Sequence, residues 1–125
     1  MNYKNKAHEV VFKTYVAKCP FKLPARTLAA IYILSADNDT WKRSRKCIEK
    51  KEINFKNISL KESTGYEYLL IKAANDIYDM DQSHFNLYDI SDRFVVSDKT
   101  YELIKAALDI ARYGYDALDI VKKFD

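Results

Sequence analysis

Only two glycines and two prolines punctuate the 125 residues of this chain. Average usage is roughly 7% and 5%, so both are scarce. A sandwich or barrel needs many tight turns, and those turns favour residues suited to positive φ. Helices joined by a few polar connections need far fewer. The scarcity predicts an all-α fold. A chain of this length can bury well over half of its unfolded surface without disulfide or metal staples, which fits a single domain over residues 1–125. The residues are 48% hydrophobic and 31% charged, as in ordinary globular proteins.

Apolar periodicity places the helices. A first segment, about 4–18, sets Ala7, Val10, Val11, Thr14, Tyr15 and Lys18 on one face; His8 and Glu9 read as a surface pair. Pro20 cannot continue that helix. A second begins near Pro24, where the missing N–H has no intrahelical partner to lose. Its run from Leu28 to Leu34 is apolar all round, which predicts a buried helix at the centre of the core. Asp37, Asn38 and Asp39 form a capping loop. They open a helix over about 40–50, with Trp41, Ser44, Cys47 and Ile48 inward and Lys42, Arg43, Lys46 and Lys50 outward. Residues 51–62 alternate weakly through Ile53, Phe55, Ile58 and Leu60, a loop or one short strand and the only β candidate. Ser63 or Thr64 caps a helix reaching about Met80, with Tyr66, Leu69, Leu70, Ala73, Ala74, Ile77 and Met80 on one side.

Residues 81–96 are mixed, with one helical turn expected near 88–94. Ser97 and Asp98 cap a long helix to about Tyr113, whose core face is Leu103, Ile104, Ala107, Leu108 and Ala111. Gly114 is placed to end it in the left-handed conformation. A last amphipathic helix is expected over 115–124, with Leu118 and Val121 on its apolar side. The sum is a compact bundle of five to six helices with at most one short β segment near residues 53–58.

The residues that carry chemistry are sparse. Cys19 and Cys47 lack any CxxC spacing and make no disulfide framework. The start, Met1–Lys6, is polar and basic, without the apolar stretch of a secretory leader. No apolar run approaches the roughly 18 residues that span a bilayer. A cytoplasmic protein with reduced thiols and no membrane partner is expected. His8 and His84 are the only histidines, and neither has a second Cys or His ligand three or four residues on. No nucleophile–base pair and no glycine-rich phosphate loop is legible. Asp79, Asp81 and Ser83 have the spacing that opens a calcium loop, but His84 stands where glycine is needed and Ile90 where a bidentate glutamate is needed. The expectation is a protein with no metal and no cofactor, and not an enzyme.

Two surface features suggest partners. Residues 1–62 hold 14 lysines and arginines against 6 acids, an excess of +8, while residues 63–125 hold 7 against 12, an excess of −5. Such asymmetry fits an anionic partner, or packing of one half against the other or against a second copy. The basic cluster Lys42, Arg43, Lys46 and Lys50, opened by Thr40 as a phosphate contact, loosely echoes the second helix of a helix-turn-helix, so nucleic acid is one candidate partner. Asp37 and Asp39 beside it would repel phosphate. The second feature is aromatic: ten tyrosines and six phenylalanines. Tyr68, Tyr113 and Tyr115 are candidates for an exposed interface, because tyrosine buries large area with few rotors. The leading expectation is a protein–protein contact, with another protein or in a homodimer.

Lys6-Ala7-His8-Glu9 with Phe12, the Leu28–Leu34 run, Asp39-Thr40, Ser63-Thr64-Gly65 and Ala73-Ala74-Asn75 follow one another over residues 4–110. In that order they resemble a family of small uncharacterised proteins carried by phages and integrative elements of low-GC Gram-positive bacteria. The resemblance implies a bacterial or phage origin and an accessory role.

Overall fold

Every side chain from Thr27 to Leu34 is buried. A computed structural model describes residues 1–79 and 83–118. It folds them as α1 (Lys6–Lys18), α2 (Ala25–Leu34), α3 (Asn38–Ser44), a hairpin of β1 (Ile48–Glu49) and β2 (Glu52–Ile53), α4 (Gly65–Tyr78), α5 (Leu87–Ser91) and α6 (Asp98–Tyr113). Short 3-10 turns occupy Arg45–Cys47, Phe55–Asn57 and Gly114–Ala117. The fold is mostly α, as the sequence predicts. Met80 and Asp81, and most of the helix expected over 115–124, lie outside the described residues; Gly114–Ala117 form a 3-10 turn.

Helix α2 is the axis of the structure, with α4 and α6 packed along it. Each of the three carries a buried alanine pair, Ala29-Ala30, Ala73-Ala74 and Ala106-Ala107. Small residues at a contact let helix axes approach closely. Larger side chains fill the flanks: Leu28, Ile31, Ile33 and Leu34 from α2, Leu70 and Ile77 from α4, Leu103, Ile104 and Ile110 from α6. A helix apolar all round has no wet face to offer, so the chain must wrap it. Its few polar groups are satisfied locally. Thr27 donates to the Lys51 carbonyl at 3.0 Å, which ties the hairpin to α2. The Tyr32 hydroxyl donates to the Asn2 carbonyl.

Capping sets the other helix starts as the sequence predicts. Asp37 accepts from the Thr40 N–H, Thr64 from the Glu67 N–H and Ser97 from the Thr100 N–H. Gly114 ends α6 at φ +62°, a conformation glycine adopts without penalty. Elsewhere the structure departs from expectation. The helix expected over 40–50 stops at Ser44, and the chain turns into the hairpin instead of a single strand near 53–58. Leu108 is exposed, and α1 is rotated. Its inner face is His8, Phe12 and Val16, whereas Ala7 and Val10 face solvent. The aromatic rings explain the rotation: Phe12 meets Tyr32 edge-on at 5.6 Å between centroids, and His8 lies 4.7 Å from the same ring. Burying those two rings against Tyr32 outweighs burying Val10.

His8 is therefore a core residue at 2% exposure, not half of a surface pair. The Lys4 N–H donates to its Nδ1 at 3.0 Å, so the proton sits on Nε2, which donates to the Tyr32 carbonyl at 2.8 Å. The Nδ1 bond needs the neutral ring, because a protonated Nδ1 cannot accept. Burial pushes its pKa down to about 4; the Tyr32 carbonyl pulls the other way and the Lys4 charge lowers it further.

Two outcomes follow for stability. Ile31→Ala should lower the unfolding free energy by about 3 kcal/mol, whereas Leu108→Ala should change it by less than about 1 kcal/mol. Urea unfolding at constant m-value reads both. The pH response is set by His8. The unfolded imidazole takes up a proton below 6.5 and the folded one only below about 4, so stability is full above pH 6.5 and falls as pH drops. The slope should approach about 1.4 kcal/mol per unit. Glu9, held low by its hydrogen bonds to Lys6 and Lys13, titrates in the unfolded chain only near 4.5, below most of the window in which His8 acts. His8→Gln should flatten that window; a slope that persists in the variant would assign it elsewhere.

Candidate functional site

Residues 42–61 hold eight lysines and arginines and two glutamates. The expected outward row Lys42, Arg43, Lys46 and Lys50 does not form one helical face. Lys42 is exposed on α3, Lys46 on the following 3-10 turn, and Lys50 at the hairpin tip. Arg43 turns inward. Its Nη1 donates to the Ser59 and Lys61 carbonyls at 3.0 and 2.7 Å. Its Nε lies 3.1 Å from Oε2 of the buried Glu67, an ion pair without an aligned hydrogen bond. Arg43 thus clamps α3, the loop before α4 and the first turn of α4 together. Thr40, read as a phosphate contact, is fully buried, and both its N–H and its hydroxyl are bonded to Asp37. The reason in both cases is local. A carboxylate or carbonyl in the same fold offers a fixed partner, and a buried cation without one is costly.

The other cations stay free of ion pairs among the described residues: Lys42, Arg45, Lys46, Lys50, Lys51, Lys56 and Lys61 are all exposed. Lys50 and Lys51 are the two-residue loop between paired Glu49 and Glu52. Lys50 holds φ +55°, in the left-handed region that glycine occupies without strain. The hairpin is fastened behind its tip by Asn54 N–H to the Cys47 carbonyl and Ile53 N–H to the Tyr78 hydroxyl.

Between this hairpin and the C-terminal end of α4 lies an open cleft of about 710 Å³. Lys46, Lys56 and Lys72 stand around it, with Asn54, Asn57 and Asn75. Phe55 and Tyr78, with ring centroids 5.5 Å apart, give it an aromatic wall. Glu49, Glu52, Asp79 and His84 also line it. His84 is brought there by Asp76, whose carboxylate accepts from the His84 and Phe85 N–H groups at 2.7–2.8 Å and lies 2.6 Å from His84 Nδ1. Asp76 near a helix C-terminus is thus a brace for the returning chain. No cluster of three His, Cys, Asp or Glu able to hold a metal occurs among the described residues.

A second segment, residues 87–101, exposes apolar side chains. Phe94 is fully exposed, Leu87 is 85% and Tyr88 76% exposed, and Val95 and Tyr101 are exposed beside them in sequence. The segment is braced. Asn86 and Asp89 form a reciprocal capping box on α5, Phe94 N–H donates to Asp92, and Val96 is buried. A shallow cleft of about 340 Å³ separates Ile90 and Arg93 from Tyr101.

The expected interface tyrosines separate. Tyr68 is exposed on α4 under the Lys72 ammonium, and Tyr113 is exposed at the end of α6 against Arg112. Tyr115 turns in, and its hydroxyl accepts from the Leu23 N–H at 3.0 Å. Burial pushes its pKa up. The apolar face around Phe94 escaped the periodicity argument because a five-residue helix spans too few turns to show a stripe. The run Phe94-Val95-Val96, flanked by Arg93 and Ser97, was the available signal. No helix among the described residues is long and apolar enough to cross a membrane. No protein-family model, curated protein or solved structure matches the chain.

Arg43→Ala should destabilise the protein by about 2 kcal/mol, because it strands a buried carboxylate and two carbonyls. Adding Glu67→Gln should recover part of that loss, and Lys42→Ala should stay within about 0.5 kcal/mol of wild type. Urea unfolding separates the three; equal stabilities of the Arg43 and Lys42 variants would remove the clamp.

Proposed function

We propose that this is a non-catalytic interaction protein that works by docking the face built from Leu87, Tyr88, Phe94, Val95 and Tyr101 onto another protein or a second copy of itself. One observation carries the reading: large apolar side chains stand in solvent on a segment that is held in place. Burying a side chain of this size is worth about 1.5–3 kcal/mol, so four left outside residues 87–95 amount to a large unrealised stabilisation. A floppy loop could collapse them inward. The capping box and the Asp92 turn prevent it. Exposed apolar groups on an ordered frame are what partner surfaces carry. Aromatic anchors dominate such contacts, and the polar rim here is supplied by Asp89, Arg93 and Asp98.

The likeness over residues 4–110 to small phage and integrative-element proteins supports an accessory role in a bacterial or phage setting, with the cytoplasm as its compartment. Tyr68 and Tyr113 are further exposed tyrosines, on α4 and at the end of α6.

Phe94→Ser and Leu87→Ser together should leave the urea midpoint within experimental error, since neither side chain is packed. If the partner is a second copy, sedimentation equilibrium should show wild-type dimers and monomeric variant. If it is another protein, a photo-crosslinking residue at position 94 in producing cells should give a discrete adduct that Tyr88→Ser abolishes. A monomeric wild type with no adduct from position 94 would sink the reading.

A further inference from the structure

The cleft between the hairpin and α4 is unused by the docking face, and its chemistry is different. It brings together the three kinds of group that a nucleotide requires. Lys46, Lys56 and Lys72 supply cations at its rim. Phe55 and Tyr78 supply ring surface. Asn54, Asn57, Asn75, Glu49, Glu52 and Asp79 supply amide and carboxylate edges of the kind that pair with base edges. The lining by itself balances three lysines against three carboxylates. The positive field comes from the flanking chain, where Lys42, Arg45, Lys50, Lys51 and Lys61 add five exposed cations with no ion-pair partner among the described residues.

We propose that this cleft and its basic surround bind single-stranded nucleic acid, with a base against Phe55 and backbone phosphates on Lys46 and Lys56. Single strands are held by the combination of a basic groove with aromatic platforms. Duplex reading by a helix is disfavoured by the same geometry. Helix α3 has seven residues, its Arg43 is turned inward, and the chain leaves it as a hairpin. Among the described residues no long basic helix remains to enter a major groove. An acidic protein has no base to lay against Phe55 or to pair with the amide edges, and a lipid surface would make no use of a concavity with base-edge partners. The hairpin tip fits the same role: Lys50 keeps a side chain where glycine would be unstrained, and that side chain is a cation facing solvent.

The test is fluorescence anisotropy of the full chain with a labelled mixed-sequence single strand of about 12 nucleotides, the matching duplex, polyglutamate and vesicles of anionic phospholipid, over a range of salt. The single strand should bind more tightly than the other three. Lys46→Ala with Lys56→Ala should reduce the slope of log affinity against log salt by about 1.4, since each lost phosphate contact removes about 0.7. Phe55→Leu keeps an apolar group in the wall and removes the ring; it should weaken binding about tenfold with the salt slope unchanged. A urea midpoint for each variant excludes unfolding as the cause. Phe94→Ser should leave this binding intact, so the docking reading and this one fail separately. Absence of binding at low salt, equal affinity for the duplex or another polyanion, or an unaltered affinity in Phe55→Leu would each overturn the assignment.

Discussion

The rest of the structure depends on the burial of one helix on every side. From Thr27 to Leu34, α2 has no residue that gains from contact with water, so every neighbouring element is recruited to cover it. Alanine pairs on α4 and α6 decide how closely those helices lie, and the rings of Phe12 and His8 decide which face of α1 turns in. The polar groups this buries find fixed partners: Thr27 on the hairpin, His8 between Lys4 and Tyr32. A neutral imidazole with both nitrogens engaged is a well-satisfied core group, and its acid sensitivity is the consequence of its burial.

Charged side chains divide into two populations with different jobs. Arg43, Glu67, Asp37 and Asp76 are turned toward the protein, where they close helix starts and hold loops. Their partners are backbone groups or a single opposite charge within about hydrogen-bond reach, which is where electrostatics outlasts solvent screening. The lysines of residues 42–61 are left in water without an ion-pair partner among the described residues. Their charge therefore acts at a distance and on rates of encounter rather than on folding. The +8 and −5 halves of the chain follow this division. The basic excess gathers around the hairpin, and from the acidic excess Asp89 closes the capping box of α5 while Asp76 braces the end of α4.

Two surfaces of different character then coexist on a small protein. One is apolar and held rigid by capping around Phe94; the other is cationic, concave and edged with amides around Phe55. The frame between them is α4, which meets the cleft with its C-terminal turn and the core with Leu70, Ala74 and Ile77. The two proposed contacts, a protein partner on the first surface and a single strand on the second, use separate residues.

The amino-acid sequence alone determined the helical class, the central helix and the helix starts. Those properties are local: scarce glycine, an unbroken apolar run, and a short polar side chain two or three residues before a free N–H. The existence of a basic segment was equally legible, since charge is a property of residue type. What the tertiary structure decided was direction. Arg43 and Tyr115 point inward because Glu67 and the Leu23 N–H lie within reach only once the chain has folded back. Leu87, Tyr88 and Phe94 point outward because the core is already filled by α2, α4 and α6. The rotation of α1 follows from ring packing against a residue 20 positions or more away, and the cleft from a hairpin and a helix end distant in sequence. No periodicity within one segment encodes the competition of distant segments for the same buried space.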